Sequence, residues 1–206
     1  MRVATKAPRV LVVFQLVMWL LVLGAAAYIV LPQLLQPPSR QLAPGVMLNT
    51  PFSLVDHNGK AVTEADFATK PTAWFYGFTH CPDVCPTTLS EMTALMNRLG
   101  PDAGKINMVF VTVDPERDTS EIMKGYVEAF DPRIVGLTGP LRQIEQMAKD
   151  RFFVFSKQPL EGGGYTMNHS ASTYLTRAGG EFAGTLDFEE GLEVKLEKIK
   201  RLISSA

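Results

Sequence analysis

The 22 residues from Val10 to Leu31 carry no charge, and Gln15 is the only strongly polar side chain among them. At about 1.5 Å per residue, a helix over this stretch spans a hydrocarbon layer of ~30 Å, which marks it as a transmembrane segment. Arg2, Lys6 and Arg9 precede it, residues 1–32 contain no acid, and the next base is Arg40. That bias places residues 1–9 in the cytoplasm and everything after the span outside. Ala25 to Ala27 offers an A-x-A cleavage site, but the apolar run continues through Tyr28, Ile29, Val30 and Leu31, which favours an uncleaved anchor over 10–31. No cysteine lies near enough for lipidation, and the basic flank is too short for a mitochondrial presequence. The expectation is a single-pass protein of the bacterial inner membrane with its C-terminal domain in the periplasm.

Beyond the span, Pro32, Pro37, Pro38 and Pro44 interrupt any helical period. Residues 32–42 read as a stiff spacer and 43–206 as one domain large enough for a substantial core. Removing residues 1–32 takes away three bases and no acid, leaving 17 Lys and Arg against 21 Asp and Glu, a net charge of −4. With no basic excess to neutralise phosphates, nucleic acid is excluded as a partner. Membrane contact is confined to the anchor.

Within the domain, Phe52 to Val55 followed by Asp56-His57-Asn58-Gly59 reads as a strand and hairpin turn. Thr72 to Phe78 and Ile106 to Val113 are buried strands, with Ile134 to Leu137 a third. Leu89, Met92, Leu95, Met96 and Leu99 recur at helical spacing, with Thr88 and Glu91 as a capping box and Gly100 as the stop. Asp118 with Glu121 starts a helix to about Phe130, and Pro140 opens one to about Lys149. Phe152 to Phe155, Ser172 to Leu175 and Glu181 to Leu186 read as later strands, the last two turned by Gly179-Gly180. Leu192, Leu196, Ile199 and Leu202 mark an amphipathic C-terminal helix. Strands alternating with helices imply parallel pairing, and the closing hairpin adds antiparallel strands: a mixed α/β sheet flanked by helices.

Ligand sites in such sheets lie at the carboxyl ends of the strands. There, in Thr79-His80-Cys81-Pro82-Asp83-Val84-Cys85-Pro86, stand both cysteines of the chain, just before a helix. A thiol near a helix N-terminus is biased toward thiolate, which is a nucleophile for disulfide exchange and a soft ligand for Cu(I). The plainer reading is a structural disulfide, but so small a loop constrains the unfolded chain little. Two Cys and three His are too few for structural zinc beside other roles. A third ligand would complete a trigonal Cu(I) site. His169, after the Gly162 to Gly164 stretch, is the candidate, against a solvent-facing loop histidine. His80 adjoins Cys81 and suits tuning the thiol better than sharing its metal, and His57 falls in a solvated turn. Met167 is a soft donor on the same stretch, or an unbranched core filler. Asp114, Glu116, Arg117 and Asp118 fall at the adjacent strand end, where Asp118 reads as a helix cap and the Glu116/Arg117 pair as surface charge, with docking of an acceptor the alternative role.

The runs Gly77 to Pro86, Val113-Asp114-Pro115-Glu116-Arg117-Asp118-Thr119, and Asn168-His169-Ser170 with Tyr174-Leu175 resemble the Sco/SenC family over nearly the whole chain. The resemblance implies a thioredoxin-like fold, a membrane tether, a periplasmic location in bacteria, and copper, Cu(I) or Cu(II), held by Cys81, Cys85 and His169. It implies assembly of the CuA centre of cytochrome c oxidase subunit II, or of another cuproprotein, with an upstream copper donor and a thiol reductant as further partners. The family usually has Asp directly before the ligand histidine; here the residue is Asn168. The competing function is a thiol–disulfide oxidoreductase in which Cys81 or Cys85 attacks a partner disulfide, the other resolves it, and His169 is dispensable. A peroxidase is disfavoured, because the position three residues before Cys81 is Phe78 rather than Thr.

Overall fold

A computed structural model describes residues 9–35 and 45–205. The chain divides into two units, 1–41 and 42–206. In the first, helix α1 (Arg9–Leu35) contains the window Leu11–Tyr28 with a mean hydropathy of 2.2, long and apolar enough to cross a membrane. The helix continues past Pro32, so residues 32–35 of the expected spacer are helical. Residues 36–42 of that spacer, and residues 1–8, lie outside the described residues.

In the second unit, β1 (Ser53–Asp56) and β2 (Ala61–Thr63) form the hairpin expected from Asn58-Gly59. Strand β3 (Thr72–Gly77) leads into α2 (Val84–Leu99), β4 (Asn107–Thr112), α3 (Ser120–Val127), β5 (Ile134–Thr138) and α4 (Leu141–Arg151). Then come β6 (Phe155–Pro159), β7 (Tyr165–His169), β8 (Thr173–Thr176), β9 (Phe182–Leu186) and α5 (Leu192–Ser204). Seven strands make one sheet in the order β2-β1-β5-β4-β3-β8-β9. Strands β3, β4 and β5 are parallel and the other pairings antiparallel. All six residues of β3 are buried, as expected of a parallel strand covered on both faces. The apolar stripe of α2 is buried at Leu89, Met92, Leu95, Met96 and Leu99, and α2 packs on α5.

The structure departs from the sequence reading in four places. Helix α2 starts at Val84 rather than Thr88, because Pro86 is tolerated in a first turn; Thr88 lies inside the helix and donates to the Val84 carbonyl at 2.8 Å. Thr119, not Asp118, caps α3 by accepting from the Ile122 N–H. Phe152 is no strand residue: it ends α4 in the left-handed region at φ 58°. Strands β6 and β7 form a separate hairpin where a loop was expected. In addition, His57 is more than a solvated turn residue, since its Nδ1 accepts from the Gly136 N–H at 3.1 Å, pinning β1 to β5.

Ahead of β5, the Arg133 fork grips the buried Asp131 carboxylate through Nε at 2.7 Å and Nη2 at 2.6 Å. Those hydrogen bonds hold the Asp131 carboxyl below the usual carboxylate range against the opposing effect of burial. A depressed folded-state pKa contributes stability that is present above the ordinary value and lost as pH falls through the lower one. Asp131→Asn is therefore expected to unfold at a lower denaturant concentration than the parent at pH 7, with the gap closing as acid titrates the parent below the ordinary carboxylate pKa.

Candidate metal centre

Both cysteines hang from the carboxyl end of β3. Cys81 lies in the loop, half-buried, and Cys85 sits in the first turn of α2, fully buried; both are free thiols. The Cys85 backbone N–H donates to Cys81 Sγ at 3.4 Å, so the helix start itself points at that sulfur. Gly77 is required beneath them: a Cβ there would meet Cys85 Sγ at 2.6 Å and Phe110 Cε2 at 2.9 Å. Gly77→Ala is expected to lose about 1–3 kcal/mol in denaturant unfolding through overpacking, and to displace the Cys85 sulfur.

His169 arrives from the last residue of β7, 84 positions away in sequence, and its Nε2 stands 3.5 Å from Cys85 Sγ. Its ring is set edge-on between Phe75 and Phe78, at centroid separations of 6.0 and 5.8 Å. Nδ1 lies 3.0 Å from the Ser170 carbonyl oxygen. A carbonyl can only accept, so Nδ1 carries the proton and Nε2 presents its lone pair to the thiols. Burial lowers the His169 pKa, favouring this neutral, ligating form, and burial pushes the Cys85 thiol up. One ligand atom from each of Cys81, Cys85 and His169 lies within 4.8 Å of the others, the one such group of metal-capable side chains among the described residues. Two soft sulfurs and one neutral imidazole, screened by aromatic rings, suit copper, and a bound cation would displace the proton that burial keeps on Cys85.

The other sequence candidates divide. Met167 is buried in the core, as a filler. His80 is exposed, within 3.1 Å of Thr79 Oγ1 and 3.8 Å of Asp118, and stands outside the donor group. Asn168 is exposed on β7, so the charge it lacks falls outside the donor group as well. Asp118, read as a cap, turns inward: its fully buried carboxylate accepts from the Thr79 N–H at 3.0 Å, Thr79 Oγ1 at 2.6 Å and Thr112 Oγ1 at 2.6 Å. It thereby ties the cysteine loop to the end of β4. Arg117 pairs with the buried Asp114 rather than with Glu116, which takes Lys157. The sequence signal for these roles was the cluster of charges directly after a buried strand, at the end where sites form.

Three comparisons bear on this geometry. Copper-bound ScoI of Bradyrhizobium japonicum superposes with a TM-score of 0.70 at 42% identity, covering 75% of this chain and 98% of that one. Copper-bound ScoI of Arabidopsis thaliana gives 0.72 at 32% identity, covering 77% and 99%. The mitochondrial SCO2 homolog of Mus musculus is 36% identical over 157 residues, 75% of this chain and 62% of its own length, so the match spans less than two thirds of that relative. These neighbours confirm the expected thioredoxin-like fold. Since residues 41–204, the whole domain that carries the thiols and the imidazole, match the SCO1/SenC family, the chain belongs to that family.

Proposed function

We propose that the protein is a copper chaperone: Cys81, Cys85 and His169 hold one copper ion and release it, by ligand exchange, to the cysteine ligands of the CuA centre in cytochrome c oxidase subunit II. The observation that carries this reading is the convergence of two sulfurs and an imidazole lone pair within 4.8 Å. The rest of the arrangement supports it. Cys81 is the more accessible sulfur and so the one an acceptor thiolate can approach, while buried Cys85 and the ring of His169 retain the ion from beneath. Copper is here cargo, and each incoming acceptor sulfur replaces one of the three donors. Helix α1, with Arg2, Lys6 and Arg9 at and before its start, supports an inner-membrane anchor over 10–31 with domain 43–206 in the periplasm, joined by residues 32–42, of which 32–35 continue the helix.

A second reading, thiol–disulfide exchange, is favoured by the pairing of half-exposed Cys81 with buried Cys85. The Cys81 thiolate would attack a partner disulfide, and Cys85 would then displace the partner from the mixed disulfide, so the partner gains two electrons as two thiols and the Cys81–Cys85 pair is oxidised. The two readings differ in their need for His169. Copper stoichiometry and the absorption spectrum of the reduced, detergent-solubilised chain, parent beside His169→Ala, separate them. One copper per chain with binding sharply weakened by the substitution supports the chaperone. Copper binding that ignores His169, or none at all, overturns it in favour of exchange.

A further inference from the structure

His169 is delivered by a hairpin that is not hydrogen-bonded into the seven-stranded sheet. A two-stranded hairpin is marginal in water by itself, and the tip of this one is Gly162-Gly163-Gly164, all at positive φ. Something outside the hairpin must fix it for the imidazole to stay over the thiols. At its base the attachments belong to the fold: Ser170 N–H donates to the Val154 carbonyl at 3.0 Å, and Phe153, between Phe155 and Tyr76, stacks on Tyr76. In the middle Met167 is buried in the core, and at the other end the loop between β4 and α3 grips the hairpin through the exposed Glu116–Lys157 ion pair and, more closely, through Arg117. The Arg117 guanidinium lies 3.9 Å from the ring centroid of Tyr165, the first residue of β7, and 5.9 Å from that of Phe78. Its Nη1 donates to the Tyr165 carbonyl at 3.1 Å, and its Nε pairs with Asp114. Tyr165 closes the ring by donating its hydroxyl to Asp114 Oδ1 at 2.9 Å.

We propose that Arg117 is a positioning residue for the third copper donor, an inference that deepens the copper-site reading and rests on it. Arg117 touches neither sulfur nor imidazole. It acts through two neighbours: Tyr165, which sets where β7 runs, and Phe78, whose ring packs against His169. Planarity matters here, since one guanidinium must stack on the Tyr165 ring while bonding in its own plane to Asp114 and the Tyr165 carbonyl. A lysine supplies the charge without the fork.

The test uses the full chain in detergent micelles, with Arg117→Ala, Arg117→Lys and Tyr165→Leu beside His169→Ala. Two readouts are needed. The first, on copper-free protein, is amide exchange. Arg117→Ala is expected to speed exchange of the β6–β7 ladder by about 10-fold or more while leaving β3 and β4 unchanged, since local opening tracks the few contacts that hold a segment. The second is the Cu(II) complex: Arg117→Ala is expected to weaken copper retention by about 10- to 100-fold, the range for groups that orient a ligand. The nitrogen hyperfine pattern should shift toward that of His169→Ala, with Arg117→Lys only partly restoring it. Parent-like exchange and parent-like spectra in Arg117→Ala overturn the proposal, and so does uniform loss of protection across the sheet, which would make Arg117 a general stability residue. If Arg117→Ala fails to fold, Tyr165→Leu must reproduce the selective effect or the proposal falls. If parent and His169→Ala bind copper alike, the copper-site reading fails and Arg117 is left as a tether for the hairpin alone.

Discussion

Cys85→Ser is expected to abolish copper retention, with a loss beyond the 10- to 100-fold typical of groups that only orient a ligand. Three features of this position combine. The serine hydroxyl is a hard, neutral donor where a soft cation needs a thiolate. The position is fully buried, so no water can take the vacated coordination site without displacing packed side chains. And Cys85 Sγ is the sulfur that faces His169 Nε2 at 3.5 Å, so its removal takes away the imidazole's sulfur neighbour. Competition against a Cu(I) chelator of known affinity measures the effect. Retention within 10-fold of the parent would show that copper is held elsewhere. The serine is isosteric enough for the fold to survive, and circular dichroism of the variant should match the parent.

Asp118→Ala is expected to give the largest stability loss outside the hydrophobic core, about 3–5 kcal/mol, because three donors lose an acceptor that is itself fully buried, and one of them, Thr112 Oγ1, is buried with it. Thr79 N–H, Thr79 Oγ1 and Thr112 Oγ1 all point at this one carboxylate. The Asp118 backbone carbonyl meanwhile accepts from Thr138 Oγ1 at 2.6 Å, so β3, β4 and β5 are all referenced to one residue. For a domain of this size the midpoint of thermal unfolding should fall by roughly 10 °C. The variant should also lose copper more readily, because the freed Thr79 begins the loop that carries Cys81. A variant with parent-like melting would mean that the threonines find other acceptors.

The cysteine site and the Asp118 knot differ in how far each is written in the sequence. Leu89, Met92, Leu95, Met96 and Leu99 announce α2 because helical burial repeats in sequence, and the thiols announce their site because they stand together at a strand end. Asp118 misleads because a cap and an inward-turned acceptor have the same local signature, an acid before a helix. Only the positions of Thr79, Thr112 and Thr138, brought together by the sheet, decide between them. The β6–β7 hairpin was missed for a related reason. Its burial follows no clean alternation, since it lies outside the sheet, buries Met167 alone among its strand residues and is otherwise held by Tyr165, Arg117 and Phe153. The placement of His169 over the cysteines is likewise a product of long-range contacts, for which spacing alone gives no signal; there the family resemblance supplied what the pattern could not.

The 84 positions that separate His169 from Cys85 also impose an order in time. A ribosome adds about 5–20 residues per second, so the two sulfurs exist for roughly 4–17 s before the imidazole has been synthesised. Through that interval the growing chain is a dithiol without its third donor, open to oxidation and to capture of whichever soft cation it meets. The three candidate donors come together only when the last third of the domain closes over the first. Nascent chains stalled before residue 165 should therefore behave as plain dithiols, and only the finished protein should set an imidazole beside the pair.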